Sequence, residues 1–216
     1  MKSSSPRSLF SKVLEVARSD GWGEVVAKVA RRVKISIYTT NAATWYERDL
    51  TRDLPELPKS DVRIRDDKFE RLVLWLRSGH KSYMFVEEEV ACAREHGHTF
   101  FWAERNGTIL GYLKVAYSVA YIADFRRRIV LPAGVAMECD MFVSEASRGM
   151  GIAKSLHINA IHSAKQRGYV ALRCHIPDWN VVSRAAVARC GFHAIRRARF
   201  HRVLGLGFVQ AQGFKL

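Results

Sequence analysis

Cysteine is sparse in these 216 residues: Cys92, Cys139, Cys174 and Cys190, with no Cys-x-x-Cys. That spacing excludes a disulfide scaffold and a zinc knuckle, and fits thiols in a reducing compartment. His157 and His162 sit five apart on a helical pattern, the wrong spacing for a shared ligand pair, so no metal site is expected. No run of eighteen apolar residues occurs, so no transmembrane helix is expected. The opening MKSSSPRSLFSK lacks the continuous apolar core of a signal peptide, and a cytoplasmic protein is expected. There is no internal repeat, no long low-complexity segment and no aromatic–basic repetition of the kind single-strand binders use. Nucleic acid therefore ranks last among partners. Oligomeric state is not legible.

Acidic residues are also few. Lys and Arg number 35 against 21 Asp and Glu, for a net charge of +14. From Trp179 to Leu216 there is no acidic residue at all, while six arginines and Lys215 supply +7. Such a balance favours anionic partners, whether a nucleotide cofactor, an anionic small molecule or a membrane face, without choosing among them. Hydrophobic residues make up 48%, enough for a packed core.

Three segments can be read along the chain. Residues 1–59 form a basic amphipathic helical extension and linker. In it Trp22, Val25, Val26, Val29, Ala30 and Val33 make an apolar stripe, and Pro55 and Pro58 mark the exit. Packing on the domain is the ordinary use of such a stripe. Peripheral contact with the inner membrane face through this helix is the alternative. Residues 60–204 form the main domain: a short strand from Asp61 to Arg65, a helix around Phe69 to Leu76, and another over 82–96. Strands follow at Thr99–Glu104 and Ile109–Ala123, on either side of an Asn106-Gly107 turn. Arg126-Arg127-Arg128 reads as a solvated loop. Residues 205–216 form a tail expected to be poorly ordered or a loosely packed edge.

The most informative stretch is 135–168. An apolar run, Val135 to Val143, carries Glu138 and Asp140 and leads into a polar turn and then Arg148-Gly149-Met150-Gly151-Ile152-Ala153. Ile152, Leu156, Ala160 and Ala164 follow at four-residue spacing, and Gly168 closes the pattern. A strand, a glycine-bearing turn and a helix in that order leave unpaired N–H groups and partial positive charge where a phosphate can approach. Downstream lie a strand from Tyr169 to Ile176, a helix from Asn180 to Cys190 closed by Gly191-Phe192, and a last strand from His193 to Leu204.

Arg148-x-x-Gly151-x-Ala153 after a strand ending Met-Phe-Val resembles the pyrophosphate motif of the GNAT N-acetyltransferase superfamily. Asn180 with a Gly-Phe pair eleven residues later resembles its second signature. The resemblance spans about Asp61 to Val203. It implies an α/β (α+β) fold with a mixed central sheet flanked by helices and a cofactor cleft where two central strands splay apart. It also implies acetyl-CoA or another acyl-CoA as co-substrate and a small-molecule amine as acceptor. The basic C-terminal third adds the expectation of an anionic acceptor such as an amino sugar. By the same resemblance Arg148, Gly149, Met150, Gly151, Ile152 and Ala153 hold the pyrophosphate. Met141, Phe142 and Val143 line the thioester through their backbone, and Asn180 contacts the cofactor or caps its own helix.

Glu138 and Asp140 are the catalytic candidates. Carboxylates inside an apolar strand are costly to bury unpaired, and strand alternation puts these two on one face. Glu138 is read as base or water-holder, Asp140 as substrate anchor or structural acid, and an arginine salt bridge is the competing use of either. Where many members carry a tyrosine acid, this chain has Val187. A GNAT-like module that binds acyl-CoA without turnover, docked to a membrane or another anionic surface, is the alternative function.

Overall fold

The computed structural model describes residues 38–58, 62–67, 87–124, 127–203 and 206–211. The stripe from Trp22 to Val33, the helix expected around Phe69 to Leu76, Arg126 and residues 212–216 lie outside them. The elements are β1 (Tyr38–Asp49), β2 (Arg63–Asp67), α1 (Glu87–Glu95), β3 (Thr99–Arg105), β4 (Thr108–Ala116), β5 (Val119–Ile122) and β6 (Arg127–Val130). After them come β7 (Val135–Val143), α2 (Ile152–Gln166), β8 (Ala171–Pro177), α3 (Val181–Arg189), β9 (His193–Val203) and β10 (Leu206–Ala211).

Two compact units divide the chain. The smaller comprises Met1–Asn41 and Phe200–Val209, whose described residues are strand segments at 38–41, 200–203 and 206–209. The larger comprises Ala42–Arg199 with Gln210–Leu216. In it the strands run in the order β9-β1-β8-β7-β4-β3-β2 as one mixed sheet, with β5 and β6 as a separate two-stranded ribbon.

Much of this follows from local sequence. Asn106 (φ 50°) and Gly107 (φ 77°) both take the left-handed conformation that a tight turn between right-twisted strands needs. Alternation then sorts the side chains. Phe101, Ala103, Leu113 and Val115 join α2 and α3 in one core cluster. Their neighbours Phe100, Trp102 and Tyr112 form a second cluster with Ala93 of α1. The sheet is therefore covered on both faces, by α2 and α3 on one side and α1 on the other.

Four segments differ from the sequence reading. β1 lies inside the stretch read as extension and linker, yet pairs antiparallel with β8 from Ala43↔Pro177 to Asp49↔Ala171. Its apolar residues Ala43, Trp45 and Tyr46 are buried, but charged neighbours blur the alternation that would mark a strand. The single strand expected over Ile109–Ala123 is broken at 117–118 into β4 and β5. Arg127 and Arg128 belong to β6, where Arg128 reaches Glu95 at 2.8 Å. Residues 206–211 of the expected tail form β10.

β4 and β7 approach closely because of one glycine. A Cβ built on Gly111 would run into the Phe142 carbonyl oxygen and come within 3.3 Å of Val143. Gly111→Ala must push the two strands apart, and a loss of about 1–3 kcal/mol is expected. Chemical denaturation of the variant checks this, and wild-type stability would show that the strands can yield.

Candidate functional site

β8 has two different partners. Against β1 it is paired through Pro177, but its parallel pairing with β7 runs only from Val135↔Ala171 to Glu138↔Cys174. Beyond that point β7 and β8 diverge, and a cavity of about 350 Å³ opens between them. This is the splayed cleft expected from the sequence. Glu138, Asp140, Met141 and Asn180 line it, as do His157, His175, Asp124 and Trp179, which sequence reasoning did not select.

The two carboxylates do not share a face. In the β4–β7 ladder Lys114 faces Asp140 while the next residue, Val115, faces Glu138, so Cys139 is an extra residue in β7. A bulge of this kind resets the alternation. Glu138 therefore sits on the α2 side, where its Oε2 lies 2.9 Å from His157 Nδ1. Asp140 sits on the α1 side, where Tyr112 donates to its Oδ2 at 2.6 Å. The expectation of one shared face assumed unbroken pleating, and it fails at that single residue. Among the described residues neither carboxylate forms the arginine salt bridge considered for it.

Both environments are dry. Glu138 is 4% exposed and His157 3%. In the neutral ring, a hydrogen on Nδ1 toward the carboxylate would leave Nε2 with its lone pair. His157 Nε2 and Glu138 Oε1 have no hydrogen-bond partner among the described residues. On the other face, burial raises the Asp140 carboxyl above its ordinary range although Lys114 and Tyr112 pull it down. Burial acts to lower Lys114, but Glu89, Cys139 and Asp140 outweigh it and hold the ammonium above the usual lysine range. Lys114 bonds Glu89 of α1, and both are fully enclosed. One cation thus faces two acids.

The turn before α2 is built as expected. Gly149 (φ 81°) and Gly151 (φ 74°) are left-handed, and a Cβ at either would meet nothing within 4 Å. The glycines serve backbone conformation and an open approach. The first intrahelical bond is Ser155 N–H to the Gly151 carbonyl, and Gly151 offers no side-chain cap. The N–H groups of Ile152, Ala153 and Lys154 are thus left without helical acceptors. Arg148 and Met150 are exposed beside them. A bare helix N-terminus of this kind can receive a phosphate-bearing ligand. Further along, Met141 and Val143 pack against the α2-side core and Phe142 stacks on Tyr112 at 6.0 Å; of these three, Met141 lines the cavity. Asn180 caps α3, its Oδ1 accepting from Ser183 N–H at 3.1 Å.

The missed residues left little trace in the sequence. His157 lies one helical turn into α2, with nothing to tie it to Glu138 until the strand and helix pack. His175, whose ring lies 5.6 Å from that of Trp45, meets Asp124 Oδ2 at 3.3 Å, and Asp124 comes from the end of β5. Among the described residues no group of His, Cys, Asp and Glu could hold a metal ion, and no helix is long and apolar enough to cross a membrane.

The model of the acetyltransferase (GNAT) family matches residues 52–192. A GCN5-related N-acetyltransferase from Sphaerobacter thermophilus is similar at 15% identity and a TM-score of 0.55, covering 84% of this chain and 58% of its own. A conserved protein of unknown function from Staphylococcus epidermidis is similar at 12% identity and a TM-score of 0.52, covering 82% and 65%. The chain therefore spans less than two thirds of either structure, and at these identities the likeness is one of fold. No curated protein matches.

The Lys114 cluster predicts a pH dependence of stability. Burial pushes the Glu89 carboxyl up to about 7 despite Lys114 beside it. The folded state thus holds a proton that the unfolded chain releases near the ordinary value of 4.5. The contribution is complete below about pH 4.5 and is lost as pH rises through about 7. Urea midpoints of the wild type should fall across that window, and Glu89→Gln should flatten the fall. Equal slopes in the two proteins would count against it.

Proposed function

The chain belongs to the acetyltransferase (GNAT) family, and from that membership we propose an acyl-CoA-dependent N-acyltransferase that moves an acetyl group, most simply, onto an amine by direct transfer. The observation that carries this reading is the proximity of two features along β7. Its end turns through the left-handed glycines into the bare N-terminus of α2, and its unpaired edge opens onto a cleft lined by titratable groups.

The residues present fit the cofactor. Backbone N–H groups from Arg148 to Ala153 would hold the pyrophosphate, with Arg148 adding charge. The edge of Met141 to Val143 would run beside the pantetheine arm, and Asn180 would flank it from the start of α3. When bound, acyl-CoA supplies a thioester carbonyl open to attack by an amine.

An aliphatic ammonium has a pKa near 10, so only about one amine in a thousand is free at neutral pH. A proton acceptor in the cleft is needed. His157 Nε2 is that group in this reading. Glu138, expected from sequence as base or water-holder, acts by orienting the ring through Nδ1–H. The new C–N bond replaces the C–S bond, and the amine proton passes to Nε2. Asp140, tied to Tyr112 and Lys114, acts as a structural acid.

The cleft thiols offer no rival nucleophile. Burial pushes Cys139 up to about 12 and Cys174 well above the ordinary thiol range, so neither is a thiolate at neutral pH. Direct transfer is the route this favours. Val187 stands on the cleft wall where a phenol could have protonated the leaving thiol. A thiol with a pKa near 8.5 can leave without one. The same valine lends weight to the second reading, a module that binds acyl-CoA without turnover. Its docking to a membrane would rest on the N-terminal stripe.

Two experiments test the proposal. Gly151→Ala and Gly151→Asp share a strain cost of about 1–2 kcal/mol at a left-handed position, but only the aspartate places a charge against the pyrophosphate. Calorimetry with acetyl-CoA should show the aspartate variant losing binding that the alanine variant partly keeps. Equal, unimpaired affinities in both would remove the phosphate cradle.

The second experiment follows thiol release from acetyl-CoA against a set of amines. His157→Gln should cut kcat by about 100- to 10,000-fold and erase the acidic limb of the pH–rate curve. Glu138→Gln should have the smaller effect. Wild-type kcat and limb in both variants would place proton removal elsewhere. Binding without any turnover would favour the second reading.

A further inference from the structure

The basic chain has an acidic cleft. Against a net charge of +14, the described residues lining the space between β7 and β8 include Asp124, Glu138 and Asp140, and among them there is neither lysine nor arginine. Lys114 is sealed beneath the sheet against Glu89 and is not among them. The local field in a cleft follows its own walls more than the total charge, so the lining opposes an anionic acceptor. The space is also built to be filled. The His157 side chain is more than nine-tenths buried, its Nε2 has no hydrogen-bond partner among the described residues, and the residue forms part of the cleft wall.

The three carboxylates are not equivalent. Asp140 is 8% exposed and bonded to Tyr112, and Glu138 is spent on His157. Asp124 differs from both, because a quarter of its side chain is exposed. Its Oδ2 is held by His175 Nε2, and its Oδ1 makes no hydrogen bond among the described residues. His175, itself 8% exposed, is fixed against Trp45. Asp124 is therefore an oriented, accessible carboxylate with a free oxygen.

It stands apart from the proton-accepting pair. Cys174 and Ile176 point into the α2-side core with Glu138 and His157, so His175 between them projects to the opposite side, together with Asp124. The Asp124 carboxylate and the His157 ring therefore belong to opposite faces of the sheet. At the mouth of the same cleft Trp179 is 73% exposed, an aromatic face of the kind that attracts cations.

We infer that the acceptor carries a positive centre besides the amine that is acylated, and that Asp124, braced by His175, holds that second centre. The inference rests on the amine-acylating activity proposed above and narrows its substrate to dicationic amines. Asp124 is a positioning and specificity residue, with no part in the proton transfer.

The test uses the full chain, acetyl-CoA, and straight-chain diamines from 1,3-diaminopropane to 1,6-diaminohexane, each beside the monoalkylamine of equal length. A hydrogen bond to a charged group adds about 1.5–3 kcal/mol, so the best diamine should exceed its monoamine by about tenfold or more in kcat/KM. Asp124→Asn should collapse that ratio toward one, mainly through KM for the diamine, and Asp124→Glu should restore part of it. Trp179→Ala should reduce the ratio by a smaller factor. Acetyl-CoA affinity measured by calorimetry shows that each variant is folded.

Monoamines and diamines acylated equally well by the wild type would overturn this inference and leave the activity standing. So would a preference for an amine bearing a phosphate or carboxylate, or an unchanged ratio in Asp124→Asn. If acetyl-CoA binds and no amine is acylated, the proposed activity falls and this inference falls with it.

Discussion

One extra residue in β7 governs the arrangement of the site. Cys139 is inserted opposite the Lys114–Val115 step, one position beyond the last β7–β8 pair at Glu138↔Cys174. A bulge bends the strand that carries it and increases its local twist, and here the bend coincides with the departure of β7 from β8. The same insertion sends Glu138 to the helix side and Asp140 to the other. Two carboxylates that would otherwise repel each other on one face are separated by the thickness of the sheet. Each can then find its own partner, His157 for one and Tyr112 for the other.

Beneath the cleft the chain keeps an economy of buried charge. Among the described residues Lys114 is the cation bonded to Glu89 and close to Asp140. Burying an ion is tolerable only when its charge is matched. With two acids to one ammonium, the match is reached when one acid holds a proton, which is why burial lifts both Glu89 and Asp140. The aromatic stack of Phe100, Trp102 and Tyr112 walls this cluster from water, and the Tyr112 hydroxyl feeds its one polar atom to Asp140. Packing and electrostatics thus fix the same strand, β4, against β7.

What could be read beforehand was what depends on near neighbours in the chain. The β7–turn–α2 unit, the Asn106-Gly107 turn and the Asn180 cap are governed by residues within a few positions of one another, and their spacing shows in the sequence. β1 was hidden because its partner, β8, lies more than a hundred residues away and its own alternation is interrupted by charge. The shared face expected of Glu138 and Asp140 failed for a related reason. A bulge belongs to two strands at once, and nothing in Met137-Glu138-Cys139-Asp140 announces that β4 will skip a residue. His157 and Asp124 matter only through partners brought to them by the fold, and composition gave no hint that a strongly basic chain would line its cleft with acids.

The two cleft cysteines carry a consequence of another kind. Cys139 and Cys174 both border the space between β7 and β8, and both are held as thiols by burial. Oxidants and alkylating agents act on thiolate, which these residues do not present at neutral pH. Cys139 and Cys174, as thiols, present no thiolate to the cleft they border. Peroxide and thiol-blocking reagents that stop enzymes with an activated cysteine should leave this cleft open for work.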